Sequence, residues 1–297
     1  CCSVAPSVPT SAKPPAQAMP WLMPAAAQSR TRPAMLGAAV GAAMFGRRPI
    51  VEIMWIDFML VAFDQIVNQA ANVRYVSEGR LTAPLTIRTQ QGNAPGACAQ
   101  HSQNLEALLL HVPGIRVAMP TLPQDAYDLT RSAVASDDPV VVIENRTLYA
   151  GDKARVVLGE EVAPIGGHRV RREGEDLTIV TWGKQARAVE EAVDACSSAG
   201  ITAEVIEAVW LNPFDTSAVI ASLERTGRLL VVHEANVTGG FGAEVIARAV
   251  ESGVPLKSPP RRVGARDSRI PAASQLAAAV LPQPQDIAAA IHAIVGR

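Results

Sequence analysis

The chain has 297 residues, a length that suits two domains of ordinary size. Its formal net charge of −1 gives no reason to expect a nucleic acid or an anionic membrane as a partner. Hydrophobic residues make up 48% of the chain and aromatic residues only 4%, so we expect the cores to be aliphatic.

The four cysteines, Cys1, Cys2, Cys98 and Cys196, show neither metal-ligand spacing nor a disulfide framework. We therefore expect a reducing compartment, which is the cytoplasm or, in a eukaryote, the mitochondrial matrix. The longest apolar run, residues 34–45, is shorter than the ~20 residues that a membrane-spanning helix needs. Its glycines and alanines predict a closely packed, buried helix instead.

Residues 1–33 are rich in Pro, Ala and Ser and show no helical or strand periodicity, which predicts an irregular or disordered segment. The first acidic residue of the chain is Glu52. An acid-free leader that contains arginine is also typical of a transit peptide, but the starting cysteine and the many prolines argue against one.

Strand-like and helix-like patterns alternate from residue 34 to about residue 165. Apolar, often β-branched runs predict strands at 49–54, 85–88, 114–120 and 139–143. Helical periodicity predicts helices at 58–72, 102–110 and 124–135. This alternation is typical of a parallel sheet covered by helices on both faces.

A polar connector at about residues 150–175 precedes a second α/β pattern. Its predicted strands lie at 177–181, 203–206 and 228–233, and its predicted helices at 185–198, 214–225, 240–252 and 284–295. The sequence therefore predicts an irregular segment at 1–33, one α/β domain at 34–165 and a second at 166–297.

One loop of the first domain carries a candidate catalytic residue. The stretch Ala99-Gln100-His101-Ser102-Gln103 follows a predicted strand and opens a predicted helix, which Ser102 is placed to cap. Strand-to-helix loops are where α/β folds keep their chemistry, and a histidine exchanges protons near neutral pH. His101 is the candidate, and a structural role for it is the alternative.

Several common motifs are absent from the sequence. It has no Walker loop, no GxSxG elbow, no HExxH and no GxGxxG after a strand. It also lacks a Gly-Asp-Gly followed by Asn-Asn, the pattern that holds magnesium and a diphosphate in thiamine-dependent enzymes.

Four consecutive segments, in one order, resemble a single family: the beta subunits of the thiamine-diphosphate-dependent decarboxylating component of 2-oxoacid dehydrogenases, a family that includes acetoin dehydrogenases. They are Glu52-Ile53-Met54-Trp55-Ile56-Asp57-Phe58, residues 64–71, residues 99–103 and Pro139-Val140-Val141-Val142-Ile143-Glu144-Asn145. In the second domain, residues 207–215, 233–236 and 239–244 resemble the same family.

The resemblance implies a fold, a reaction and partners. The fold would be a transketolase-like pyrimidine-binding domain followed by a transketolase C-terminal-like domain. The reaction would be oxidative decarboxylation of a 2-oxoacid, or cleavage of acetoin, with transfer of the acyl group to lipoyl. An alpha subunit would hold Mg²⁺ and the diphosphate in a shared site, giving an α₂β₂ heterotetramer that docks on a dihydrolipoyl acyltransferase core.

The resemblance also assigns site residues. Phe58 matches the family residue that stacks on the aminopyrimidine ring, with a core aromatic as the alternative. His101 matches a histidine near the thiazolium and the substrate. Arg88 matches an arginine behind that loop, for which a buried ion pair is the alternative. Backbone carbonyls of Leu85, Ala133, Ser136 and Asp138 match a monovalent-cation loop for K⁺, or an unmetalled helix end.

The resemblance fails before about residue 34. Alignment without gaps puts Arg32 where the family has a glutamate that hydrogen-bonds the aminopyrimidine and allows the cofactor to lose its thiazolium proton. A guanidinium stays charged and cannot replace that carboxylate. A disrupted gene model would explain residues 1–33. The alternative function is therefore an inactive or truncated beta-subunit homologue that keeps only its assembly surfaces.

Overall fold

A computed structural model describes residues 25–151 and 153–296, with side chains from residue 31 onward. It consists of two successive α/β units, each built on one five-stranded sheet. The predicted α/β architecture, with transketolase-like mixed sheets and flanking helices, is confirmed.

The first sheet contains four parallel strands from the first unit. They are β1 (Ile50–Ile53), β2 (Thr86–Gln91), β3 (Arg116–Ala118) and β4 (Val140–Asn145), in the order β1-β2-β4-β3. The register pairs Ile50 with Thr86, and Thr86 with Val140. Every residue of β4 is buried, as expected for a β-branched strand covered on both faces.

Helices cover the first sheet. They are α1 (Ala25–Met44), α2 (Val73–Val76), α3 (Glu106–Leu110) and α4 (Pro123–Ala135). The chain between β1 and α2 is helical but irregular: 3₁₀ turns at Ile56–Ala62 and Ala70–Asn72 flank a π-helical stretch at Gln65–Gln69. A further 3₁₀ turn, Arg146–Ala150, follows β4.

The second unit supplies one strand to the first sheet and forms the second sheet. Its strands are β5 (Arg169–Arg172), β6 (Leu177–Thr181), β7 (Ala203–Glu207), β8 (Trp210–Asn212), β9 (Leu229–Asn236) and β10 (Arg261–Ala265). The second sheet has the order β10-β9-β6-β7-β5, with only β5 antiparallel to its neighbour. Strand β8 instead pairs antiparallel with β3, which joins the two units.

The helices of the second unit pack on its sheet. They are α5 (Gln185–Ser197), α6 (Thr216–Thr226), α7 (Gly242–Glu251), α8 (Ser274–Val280) and α9 (Pro284–Val295). Among the described residues, no helix is both long enough and apolar enough to cross a membrane.

Two local predictions were wrong. Residues 25–33 are not irregular, since they form the first part of α1, with Pro33 inside the helix; residues 1–24 lie outside the described residues. Ser102 does not cap α3, because that helix begins four residues later, at Glu106, with Leu105 at its N-cap. The Ser102 hydroxyl instead lies 3.4 Å from Asn93 Oδ1.

Candidate functional site

The candidate site lies at the carboxyl ends of the parallel strands of the first sheet. Trp55 and Phe58 follow β1, the loop at residues 92–105 follows β2, and Arg146 follows β4. In parallel α/β sheets this edge gathers residues from several strands into one place.

An aromatic cluster surrounds His101. The centroid of its ring lies 5.0 Å from that of Trp55 and 5.3 Å from that of Phe58, edge to face in both cases. The Arg146 guanidinium covers the Trp55 ring at 5.0 Å and donates a 3.4 Å hydrogen bond to Gln90 Oε1. His101 is half-buried, so its ring is fixed by aromatic neighbours and still open to a small ligand.

Arg32 also belongs to this cluster. Helix α1 places its guanidinium over the Phe58 ring, 4.3 Å from the centroid, a cation–π distance. Burial lowers the pKa of Arg32 from its ordinary value. One face of the Phe58 ring, which the sequence predicts to stack on a cofactor, is therefore covered by a guanidinium of the same chain.

Arg88 lies in an ion pair. Its Nε and Nη2 donate to Glu144 Oε1 at 3.0 and 2.9 Å, and Glu52 lies 3.6 Å away. Tyr149 donates its hydroxyl to the other oxygen of Glu144. The alternative that the sequence left open for Arg88, a structural ion pair, is what the structure shows, and its predicted cofactor-binding role stays a prediction.

A buried carboxyl joins the loop region to the second unit. Glu106 Oε1 accepts a hydrogen bond from Trp182 Nε1 at 3.1 Å, and Oε2 accepts one from Gln91 at 3.0 Å. Burial raises the pKa of Glu106, and the nearby charge of Glu234 acts in the same direction. His233, stacked on Trp182, adds no positive charge at neutral pH because burial lowers its pKa to about 4.

The four carbonyls of the predicted cation loop accept hydrogen bonds from the chain itself. Those of Leu85 and Ala133 accept from backbone N–H groups, and that of Asp138 accepts from a serine hydroxyl. Arg48 Nη1 donates to the Ser136 carbonyl at 2.7 Å and to Val134 at 2.9 Å. A guanidinium thus caps the end of α4, and a K⁺ ion at this loop stays a prediction.

Two domain families match the chain: the transketolase pyrimidine binding domain over residues 33–151 and the transketolase C-terminal domain over residues 166–287. The chain is 40% identical over 258 residues to the beta subunit of acetoin:2,6-dichlorophenolindophenol oxidoreductase from Cupriavidus necator, covering 83% of this chain and 76% of that protein. It belongs to the beta-subunit family of acetoin and 2-oxoacid dehydrogenases.

Further relatives span several substrate classes. A mitochondrial pyruvate dehydrogenase E1 beta-2 subunit from Oryza sativa is 38% identical, over 86% of this chain and 69% of its own length. A mitochondrial 2-oxoisovalerate dehydrogenase beta 2 subunit from Arabidopsis thaliana is 40% identical, over 80% and 67%. Because the identities are so similar, they do not select one substrate class within the beta-subunit family.

A solved structure, described as "Split gene transketolase, inactive beta4 tetramer", supports the fold. It aligns with a TM-score of 0.73 over 89% of this chain and 81% of that chain, at 23% sequence identity. The likeness shows that this chain shares the fold of that transketolase chain.

The residues described at the site fit only part of the aminopyrimidine half of thiamine diphosphate, on which this family depends. Phe58 offers a ring face and His101 lies at its edge. However, Arg32 covers that ring, and no acidic residue precedes Glu52 in the sequence. A guanidinium only donates hydrogen bonds and stays charged, so it cannot exchange a proton with a ring nitrogen as a carboxyl group does. Among the described residues, Phe58 and His101 thus fit the aminopyrimidine half in part, and the Arg32 guanidinium does not.

Sequence reasoning gave no role to two residues of the cluster, Trp55 and Arg146. Each stands within two residues of the carboxyl end of a strand, where parallel sheets place functional side chains, and that position was the available signal. Their contact with each other was not predictable, because it depends on how β1 and β4 are ordered in the sheet.

Proposed function

We propose that the chain acts as the beta subunit of a thiamine-diphosphate-dependent dehydrogenase component that decarboxylates a 2-oxoacid or cleaves acetoin and passes the acyl group to lipoyl. One observation carries the proposal. His101 is packed against Phe58 and Trp55 at the carboxyl edge of the first sheet, where the family motif puts its substrate-facing histidine. There the imidazole can donate a hydrogen bond to a substrate oxygen or exchange a proton with it.

The proposal includes partners. An alpha subunit would supply the magnesium and diphosphate half of the site in an α₂β₂ heterotetramer, since this sequence has no Gly-Asp-Gly motif for them. A dihydrolipoyl acyltransferase core would receive the acyl group. The cytoplasm or the mitochondrial matrix is the compartment in which we expect this assembly.

A second function, that of a non-catalytic beta subunit, is favoured by the position of Arg32. Its guanidinium lies on Phe58, and α1 offers no carboxylate there. A chain of this kind would keep its subunit contacts and lose the first step of catalysis.

One comparison tests both functions. The chain and its Arg32→Glu variant are each purified together with the alpha subunit of a related dehydrogenase and are supplied with magnesium and thiamine diphosphate. Reduction of 2,6-dichlorophenolindophenol is then followed with pyruvate, 2-oxoisovalerate and acetoin. The proposed function predicts that the unchanged chain reduces the acceptor with at least one of these substrates. Little or no reduction by the unchanged chain, together with a gain of about 10²-fold or more in Arg32→Glu, is expected if Arg32 blocks the first step, because the substitution supplies a carboxylate at that position.

Arg155→Glu is the matched control, since it makes the same charge change at an exposed residue of the connector. It should leave activity at the level of the unchanged chain. Substantial activity of the unchanged chain would contradict the inhibitory role of Arg32. A chimaera in which a relative's segment, ending in Ser-Glu, replaces the chain up to that position provides a second variant. Inactivity of both Arg32→Glu and this chimaera would favour the non-catalytic function.

A further inference from the structure

The loop that carries His101 has little regular structure of its own. Between the end of β2 and the start of α3, residues 92–105 contain neither helix nor strand. Its internal hydrogen bonds include a turn from Ala97 N–H to the Ala94 carbonyl and a long one, 3.4 Å, from His101 N–H to the Cys98 carbonyl. The position of His101 therefore depends on contacts that the loop makes with the rest of the molecule.

The second unit holds the beginning of the loop. Glu234, on β9, accepts a hydrogen bond from the Asn93 backbone N–H at 3.2 Å through Oε1. Its other oxygen accepts from Asn145 Nδ2 at 2.7 Å, and the Lys184 ammonium lies 3.2 Å away. Glu234 is buried, so this charge-assisted contact is shielded from water.

The second unit also holds the end of the loop. Arg269, just beyond β10, donates from Nη1 to Gln103 Oε1 at 2.9 Å. The Gln103 amide nitrogen donates to Asp57 Oδ1 at 3.0 Å, and its backbone N–H lies 3.3 Å from the same oxygen. Gln103 is thus held from both units, two residues after His101.

We propose that the second unit positions His101 by clamping its loop at both ends, through Glu234 at Asn93 and Arg269 at Gln103. Glu234 and Arg269 are positioning residues, and neither touches the His101 ring. The clamp makes the geometry of the site depend on how the two units are packed. Only the role of His101 in catalysis rests on the proposed function; the clamp itself does not.

The test uses the full chain and two readouts that need no activity. Amide hydrogen exchange reports opening of the loop in peptides that cover residues 92–105. Modification by diethyl pyrocarbonate, quantified by mass spectrometry across a range of pH, reports access to His101, with His111 and His168 in the same sample as references. The variants are Arg269→Met, which keeps an unbranched apolar side chain but removes the donors, and Arg269→Lys, which restores one donor group.

Arg266→Met is the control, since it removes an exposed arginine three residues away on the same loop. In Arg269→Met we expect exchange in residues 92–105 and modification of His101 to become about fivefold faster, the effect of losing one ordinary hydrogen bond. Arg269→Lys should recover part of this change. Arg266→Met should match the unchanged chain.

Equal rates in Arg269→Met and the unchanged chain would overturn the clamp. So would an equal increase in Arg266→Met, because it would show a general effect of lost charge. The outcome is separate from the proposed function. Faster loop opening in a chain that shows no dehydrogenase activity after Arg32→Glu would support the clamp and contradict the function.

Discussion

At the scale of single residues, the proposed site centres on His101 and the two aromatic rings that contact it. We expect His101→Ala in the Arg32→Glu background to slow dehydrogenase turnover by roughly 10²–10⁴-fold, because the positioned proton donor or acceptor is lost. Folding should be preserved, since the His101 side chain is only half-buried. The measurement is steady-state reduction of the artificial acceptor, with circular dichroism to confirm the fold.

The control for this substitution is His111→Ala, which removes an exposed imidazole just after α3. It should leave turnover close to that of the Arg32→Glu parent. Near-normal turnover of the His101→Ala chain would return His101 to the structural role that the sequence also allowed.

At the scale of elements, α3 contacts the second unit through a buried carboxyl. Folding raises the pKa of Glu106, so the folded chain binds the proton of this carboxyl group more tightly than the unfolded chain does. The resulting stability is fully present at acidic pH and is lost as the pH rises through the raised pKa. The charge of Glu234 opposes ionisation of the Glu106 carboxyl, and Glu234 is itself paired with Lys184.

Glu106→Gln should therefore remove this pH dependence. The amide oxygen still accepts from Trp182, and the amide nitrogen can donate to Gln91 Oε1, a buried atom that lacks a hydrogen-bond partner. We expect the melting temperature of the variant to rise relative to the unchanged chain between pH 5 and pH 8, by about 2–4 °C for each unit of raised pKa. A constant gap over that range, measured by calorimetry, would show that Glu106 ionises normally.

The sequence predicted the central elements better than the edges. Runs such as Val140-Val141-Val142-Ile143 predict buried parallel strands from composition alone, and the strand is there. Strands β5, β8 and β10 were missed, and each is an edge strand of its sheet. Edge strands depend on tertiary contact with one neighbour more than on a local pattern. The helix predicted at 58–72 is present as 3₁₀ and π turns. The periodicity of the side chains does not distinguish these turns from an α-helix.

The same limit applies to the site. The sequence motifs singled out Phe58 and His101, and the structure brings their rings into contact. The contact between Arg32 and Phe58 could not, since it depends on α1 running unbroken through Pro33. The hydrogen bond between Arg269 and Gln103 joins residues 166 positions apart, a separation that no local pattern reports.

At the scale of the whole molecule, the amino-terminal edge of the first sheet carries exposed apolar side chains. Phe45 is 91% exposed and Tyr75 88%. Tyr75, Arg74 and Asp138 line an open cavity of about 660 Å³. Phe45 lies three residues before Arg48, which binds Asp137, so these groups share one side of the molecule. A monomer rarely leaves such large apolar groups together in water. We therefore expect this edge to contact another subunit.

Phe45→Ser combined with Tyr75→Ser should weaken assembly with an alpha subunit by about tenfold or more, because exposed aromatic anchors carry much of the affinity of such interfaces. Co-expression followed by light scattering and titration of the purified chains measures the effect. Leu276→Ser is the control, since it removes an exposed apolar group from α8 in the second unit. The fold should persist in both variants because these side chains lie outside the cores.

An α₂β₂ complex of undiminished affinity in the double variant would exclude this edge from the interface. A well-behaved monomer of the unchanged chain that binds thiamine diphosphate by itself would contradict the shared site.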